Sequence, residues 1–453
     1  MSGAGSPSPS PQTVAAWGRL SASTHAILRP SLRADVPAAL SRGANRCAVR
    51  GLGRSYGDVA LNPEGALLDM TGLDRFMAFD PATGELEVEA GVSLGEILAA
   101  ACRPNDDGSG WFLPVTPGTG YVTVGGAIAN DVHGKNHHRA GSFGRYVLGL
   151  TVARSNGRII HCGPDREPGL FSATVGGLGL TGVILAARLQ LRRVAGLAVE
   201  SEHLAFNSLD EFFNLTNGSE ADWEYTVGWV DALATGKAAG RGIFSRARHA
   251  PNQRAAPPPH LPRLSIPATP PFSLVNRASV RLFNAFYWRS ARSARRIEHY
   301  ARTLYPLDGI GNWNRLYGPR GFFQFQCVVP KNDARAVLGE LLGRIAASGE
   351  GSMLTVIKTF NDMPSPGLLS FPMPGTTLAV DFANRGEGTR ALLADLERLT
   401  VEARGRIYPA KDAVMSAETF NAGYGHALAE FRRHMDPGLT SAFARRVGLE
   451  SAS

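Results

Sequence analysis

The residues best suited to chemistry gather at 117–144, PGTGYVTVGGAIANDVHGKNHHRAGSFG, which contains Gly118, Gly120, Gly125, Gly126, Gly134, Gly141 and Gly144. Glycine at that density lets a backbone approach a ligand and aim several N–H groups at it, usually at a phosphate or pyrophosphate. His133, Lys135, Asn136, His137 and His138 put ionisable groups directly beside that seat. Neither G-x-G-x-x-G nor G-x-x-x-x-G-K-[ST] is cleanly present. A nucleotide in some other cradle fits the stretch, and so does a plain glycine-rich loop with a solvated basic tail. A second loop, RGLGRSYGD at 50–58, follows a short apolar strand at 47–49 and surrounds Arg54, Ser55, Tyr56 and Asp58 with Gly51, Gly53 and Gly57. Two such loops beside strands point to a long dinucleotide held by backbone from two sides.

Further candidates lie on strands with period-two alternation. In 321–329, GFFQFQCVV, Phe323, Phe325 and Cys327 face one way and Gln324 and Gln326 the other. In 353–360 Lys358 shares a face with Leu354 and Val356, and in 376–382 Thr377, Ala379 and Asp381 share one. These polar groups are either a pocket floor or a solvated sheet face. Lys411 follows a strand at 406–408 in the loop PAKDA and is a candidate base; a surface lysine is the ordinary alternative.

The elements that must position these groups are of two kinds. Up to about residue 190 the pattern is a mixed α+β unit with short strands. It has a hairpin at 76–89, a Ser93/Glu96 capping box opening a helix, a second hairpin around Asn156-Gly157, and an apolar strand at 183–191. From about 196 the glycine density falls. Strand-like EYTVGWV (224–230), a proline-rich stretch (246–273) suited to a mobile loop or lid, and helical patterns at 332–347 and 388–402 imply an antiparallel sheet with helices on one side. A helix capped by Ser416 and Thr419 follows. The segment 273–296 interleaves Leu274, Val280, Leu282, Phe283, Phe286, Tyr287 and Trp288 with six arginines. It reads either as a membrane-surface contact or as a helix packed on its own domain.

Bulk properties bound the rest. With 453 residues two domains are expected, and 44% hydrophobic residues suffice for a globular interior. No apolar run approaches the ~18 residues of a spanning helix. The N-terminus, MSGAGSPSPSPQ, reads as a disordered tail, not a secretory leader. A cytoplasmic or peripherally membrane-associated protein is expected. The net charge of +8 suits an acidic ligand or a phospholipid surface, and no nucleic-acid partner is expected. Cys47, Cys102, Cys162 and Cys327 lie far apart without C-x-x-C, which argues against a metal site or disulfide framework.

In order along the chain, RGLGRSYGD, the 117–144 stretch, ATVGGLGLTG, WNRLYGP, GFFQFQ, SFPMPG and YPAKD resemble the vanillyl-alcohol-oxidase-type FAD flavoproteins. Within that family they resemble the members that oxidise the 2′-hydroxyl of a polyprenyl-phosphoryl ribose. That reaction is the first half of an epimerisation yielding an arabinose donor for cell-wall polysaccharide. The resemblance implies a two-domain α+β fold: a disordered tail at 1–14, an FAD-binding domain at 15–195, an antiparallel-sheet substrate domain at 196–400 with a mobile loop at 246–273, and a segment at 401–453 returning to the FAD domain. It implies FAD contacts at Val49, Arg50, Gly51, Leu52, Gly53, Arg54, Ser55, Tyr56, Gly57, Asp58, Val59, Gly118, Thr123, Val124, Gly125, Gly126, Asn130, Asp131, Val132, His133, Ile184 and Tyr408. Matching substrate positions are Lys135, Trp229, Tyr317, Gln324, Gln326 and Lys358, with Lys411 as base and His133 as the alternative base or a flavin hydrogen-bonding group.

Many relatives link flavin covalently to a histidine of the first loop. Arg54 stands near that position, so non-covalent FAD is expected. The chain departs from relatives at Ala379, where a cysteine is found in them, at Thr376-Thr377 and in the 246–273 loop. A lipid-linked sugar phosphate as substrate, an NAD(P)H-dependent keto-reductase partner and a peripheral membrane surface follow from the resemblance. The competing expectation keeps FAD but oxidises a small soluble polyol or aldonolactone.

Overall fold

The computed structural model describes residues 11–20, 22–42, 46–63, 65–254, 264–291 and 293–450. Local turn chemistry builds the N-terminal sheets. Gly84 (φ 76°) closes Phe76–Phe79 onto Glu85–Glu89, and Gly157 (φ 83°) closes Val147–Ala153 onto Ile159–Cys162. Val183–Gln190 inserts between the two hairpins, giving a five-stranded antiparallel sheet among the described residues. Ser93 and Glu96 make the reciprocal cap of helix Leu94–Ala100. The apolar strand before the first glycine loop is Cys47–Arg50. It runs parallel to Ala66–Asp69, which runs parallel to Ala22–Leu28.

The expected tail at 1–14 needs correction at its end. Pro11–Ala15 is an edge strand antiparallel to Ala22–Leu28, and residues 1–10 lie outside the described residues. An edge strand takes its hydrogen bonds from a partner strand, so a polar pattern such as PQTVA does not reveal it.

The second layer is an antiparallel sheet of eight strands among the described residues. In spatial order they are Arg296–His299, Ala198–Phe206, Gly242–His249, Tyr225–Val230, Thr355–Phe360, Gly375–Ala383, Phe322–Pro330 and Arg406–Ile407. Helices Ala334–Ser348 and Glu387–Glu402 cover one face, where Leu338, Leu341, Ile345 and Leu396 join Phe323, Phe325, Cys327, Leu378 and Val380 in one core cluster. Alternation then commits the other face to Gln324, Gln326, Asp381 and Lys358. Residues 246–249 belong to the strand Gly242–His249, and Leu264–Ser265 pairs with Ile310–Gly311, so the expected mobile loop is shorter at both ends. Its proline-rich centre, 255–263, lies outside the described residues.

The C-terminal helix Ala417–His434 starts at Ser416, whose side chain accepts from the Thr419 N–H. The chain beyond it returns to the N-terminal unit. Asp436 pairs with Arg154 at 3.1 Å, Arg446 pairs with Asp58 at 2.7 Å, and Leu439 bridges to Cys47.

Candidate active site

The two glycine loops and the open sheet face enclose a single cavity of about 840 Å³. The loops touch each other: a Cβ on Gly51 would lie 2.2 Å from Thr123 Oγ1. Gly118, by contrast, faces open space, and a Cβ there would meet nothing within 4 Å. The backbone N–H groups of Leu52, Gly53, Arg54 and Ser55 have no backbone acceptor among the described residues. Along the cavity lie Val49 to Tyr56, Val59, Gly118, Thr123, Gly125, Gly126, Asn130, Val132, His133, Ile184 and Tyr408.

Four positions expected at the cofactor do not reach this wall. Gly57 lies against the Lys411 loop, where a Cβ would sit 1.7 Å from the Asp412 carbonyl. Asp58 is paired with Arg446, and Val124 is fully buried in the core. Asp131 accepts from the Gly144 N–H (2.8 Å) and Ser370 Oγ (2.6 Å). In the second loop the Val124 and Gly125 N–H groups are also committed, to the carbonyls of Val92 and Ala90 at 2.8 Å each. The free donors that could meet a pyrophosphate therefore include those of the first loop, together with the Gly118 and Thr119 N–H groups, which also have no backbone acceptor among the described residues.

Arg54 lies 4.1 Å above the Trp17 ring and 5.2 Å from that of Tyr121, and its Nε donates to the Tyr121 carbonyl at 3.2 Å. Asp308 closes the same corner by accepting from the Gly120 N–H at 2.7 Å. No motif or alternation in the sequence marks Trp17 or Asp308 as part of the site, and Tyr121 is marked only by its place within 117–144. Asp308 sits in the irregular stretch 305–312, whose pattern carries no signal.

The sheet face supplies the other end of the cavity. Gln324 and Gln326, Ala379 and Asp381, Leu354, Val356 and Lys358, and Val227 and Trp229 line it. Tyr317 stands one layer behind, stacked on Phe322 at 4.1 Å with its hydroxyl 3.4 Å from Asp381 Oδ2. Register places Gln324 opposite Asp381 on the neighbouring strand, and Gln324 Nε2 donates to Asp381 Oδ1. Asp381 is legible in sequence only as one member of an alternating face.

Gln326 Nε2 donates to His133 Nε2 (3.0 Å) and to Thr377 Oγ1 (3.2 Å), which leaves the ring proton of His133 on Nδ1. That Nδ1 and Asn130 Oδ1 are buried without a partner in the protein. Burial, helped by the nearby Lys358, holds the His133 imidazole well below its ordinary range, so it is neutral at pH 7.

Three lysines converge on the cavity. Burial lowers Lys411 to about 8, while the carboxylate of Asp381 acts in the opposite direction. The Lys411 ammonium lies 3.8 Å from the centre of the Tyr56 ring. Burial, with Lys135 and Lys411 nearby, lowers Lys358 to about 7. Burial lowers Lys135 to about 8, and its ammonium donates to the Thr303 carbonyl. A desolvated amine with a value near 8 is in reach of the neutral form that a base requires.

The free N–H cradle, the close-approach glycines and the unpartnered His133 and Asn130 atoms suit the pyrophosphate and ring edge of FAD. Fold and cavity together define a flavin-dependent oxidoreductase of the vanillyl-alcohol-oxidase type. An FAD-binding domain family matches residues 24–163. The chain is 37% identical to decaprenylphosphoryl-β-D-ribose oxidase of Mycolicibacterium smegmatis, over 96% of each chain. Cytokinin dehydrogenase 6 of Oryza sativa is 29% identical over 48% of this chain and 44% of its own length. L-gulonolactone oxidase of Mus musculus is 31% identical over about a third of each (34% and 33%). The chain belongs to the family of decaprenylphosphoryl-β-D-ribose oxidase. Among the described residues no helix is long and apolar enough to cross a membrane.

Proposed function

We propose that this chain oxidises the 2′-hydroxyl of a polyprenyl-phosphoryl ribose to the 2′-keto sugar. The observation that carries this is one continuous cavity, with glycine loops at one end and Lys358, Lys411, Gln324 and Asp381 at the other. Bound FAD supplies the hydride acceptor. Neutral Lys411 takes the hydroxyl proton as the C–H bond of the same carbon is lost, and Asp381 faces the resulting ammonium. Gln324 and Gln326 orient sugar hydroxyls through their amides. Lys358 and Lys135 offer cations to the sugar phosphate. Neutral His133, with its Nδ1 proton free, is suited to donate to the cofactor ring and is a poorer base than Lys411. The walls around Trp229 and Tyr408 keep bulk water from the reacting carbon.

On this reading, residues 15–195 with 401–453 are the FAD domain and residues 196–400 the substrate domain. The keto product calls for an NAD(P)H-dependent keto-reductase to complete an epimerisation to the arabinose donor. A lipid-linked substrate also brings the enzyme to a membrane surface.

The test is anaerobic flavin bleaching with a panel of prenyl-phosphoryl pentoses, free polyols and aldonolactones. Bleaching by the phosphoryl ribose but not by free sugars is expected; the reverse preference would support the polyol reading. Lys411→Ala should keep its flavin and lose bleaching by at least about a hundredfold. Normal bleaching in that variant would remove Lys411 from its role.

A further inference from the structure

Twelve of the 47 lysines and arginines, and none of the 39 aspartates and glutamates, fall within 232–297, so this one stretch outweighs the whole net charge of +8. It contains the helix Arg277–Ser290. Val280 and Asn284 are the buried positions of that helix, and Asn284 Nδ2 donates to Asp231 Oδ1 at 2.8 Å. Tyr287 and Trp288 are half-buried, whereas Leu282 and Phe286 lie off that inward face. Leu282 and Phe286, one turn apart, are 76% and 74% exposed. Leu264 (70%) and Phe272 (66%) complete the four most exposed large apolar residues among those described.

These side chains come from one stretch of the chain. Eight of the thirteen exposed large apolar residues among those described fall within 264–310. Leu264 pairs with Ile310 across a short parallel bridge, and the Leu274 N–H donates to the Leu316 carbonyl at 2.8 Å, which fastens the segment before the helix to the rim. The surface also continues into the cavity, because Phe283 and Tyr287 of the same helix line it and Tyr287 meets Trp229 edge-on at 4.9 Å. On the helix Arg289 lies beside Leu282 and Phe286 and Arg281 lies at the edge of their face, and neither has a carboxylate within ion-pair distance among the described residues, while Arg277 turns toward Gly349. Elsewhere in the stretch several arginines are neutralised: Arg241 by Asp231, Arg246 by Glu202 and Arg248 by Glu200.

We propose that this face docks on an anionic phospholipid bilayer, with Leu282 and Phe286 in the acyl boundary and Arg281 and Arg289 at the headgroups. Exposed apolar groups beside unpaired cations, on a helix that carries no carboxylate of its own, match that partner. The role assigned to docking rests on the lipid-linked substrate proposed above: the prenyl chain stays in the bilayer and its sugar enters past the stacked rings of Phe283 and Tyr287 that line the cavity. The docking itself rests on the surface alone.

The test uses the FAD-loaded full-length protein and vesicles of phosphatidylcholine with or without phosphatidylglycerol. Sedimentation with the anionic vesicles is expected, weakening severalfold as salt is raised. Leu282→Ser/Phe286→Ser should bind those vesicles at least tenfold more weakly with unchanged flavin absorbance. It should still be bleached by a short-chain, water-soluble phosphoryl ribose at the wild-type rate, and more slowly by a long-chain one in vesicles. Wild-type protein left in the supernatant, or equal binding by the double variant, overturns the proposal. So does a dimer that the double substitution dissociates while vesicles bind neither protein, since the face is then a contact between copies. Vesicle binding without bleaching by any phosphoryl ribose would overturn the substrate reading and leave the docking face standing.

Discussion

Replacing Asp381 with Asn tests how the site sets its base. Asp381 is fully buried, accepts from Gln324 and stands near the Tyr317 hydroxyl, and its charge acts against the burial that depresses Lys411. A carboxylate within about 4–6 Å raises a neighbouring amine by roughly 1–3 pH units. Asparagine has the same shape, can still accept from Gln324, and can donate to the tyrosine oxygen. What it removes is the charge. Lys411, at about 8 in the parent protein, should then lose its proton at lower pH. Because the reaction needs the neutral amine, flavin reduction in the parent should rise with pH and level off above about 8. In Asp381→Asn the same limb should move to lower pH by at least about one pH unit. Burial raises the Asp381 carboxyl itself to about 7, so the difference from the parent is read above that pH, where the carboxylate is charged. The assay is anaerobic stopped-flow bleaching at saturating substrate from acid to alkaline pH. The position of the limb is the readout, because the plateau also reflects how well Gln324 and Tyr317 remain in place. A limb that stays put, or moves to higher pH, would refute the coupling of Asp381 to Lys411.

The remaining predictions concern the cavity walls. Gly57→Ala forces a Cβ to 1.7 Å from the Asp412 carbonyl; displacing the Lys411 loop should destabilise by on the order of 3 kcal/mol. A lower Tm and a lower flavin-to-protein ratio would register it. With Arg54 stacked between Trp17 and Tyr121 where a covalent linkage would need a histidine, acid precipitation should release all the flavin into the supernatant. Flavin remaining in the pellet would contradict non-covalent binding. Lys358 has a folded-state value of about 7 against an ordinary 10.5, so the unfolded chain binds the extra proton between those values and stability rises with pH across that window. Lys358→Met should therefore raise Tm most below pH 7 and progressively less toward pH 10, while slowing bleaching by the phosphoryl ribose. A gain independent of pH would contradict a buried, titrating amine.

The sequence determined what depends on short range. Period-two alternation assigned Gln324, Gln326 and Lys358 to sheet faces, Asn156-Gly157 and Ser93/Glu96 marked turns and caps, and glycine density marked both loops. Each follows from backbone geometry over a few residues. The tertiary structure alone decided which groups meet. Asp381 reaches Gln324 because register aligns strands 57 residues apart, and Gly57 serves the Lys411 loop because the chain closes on itself more than 350 positions later. Burial at those meetings then moves Lys358, Lys411 and His133 away from their ordinary charge states, and desolvation depends on every neighbour at once, so no local pattern encodes it.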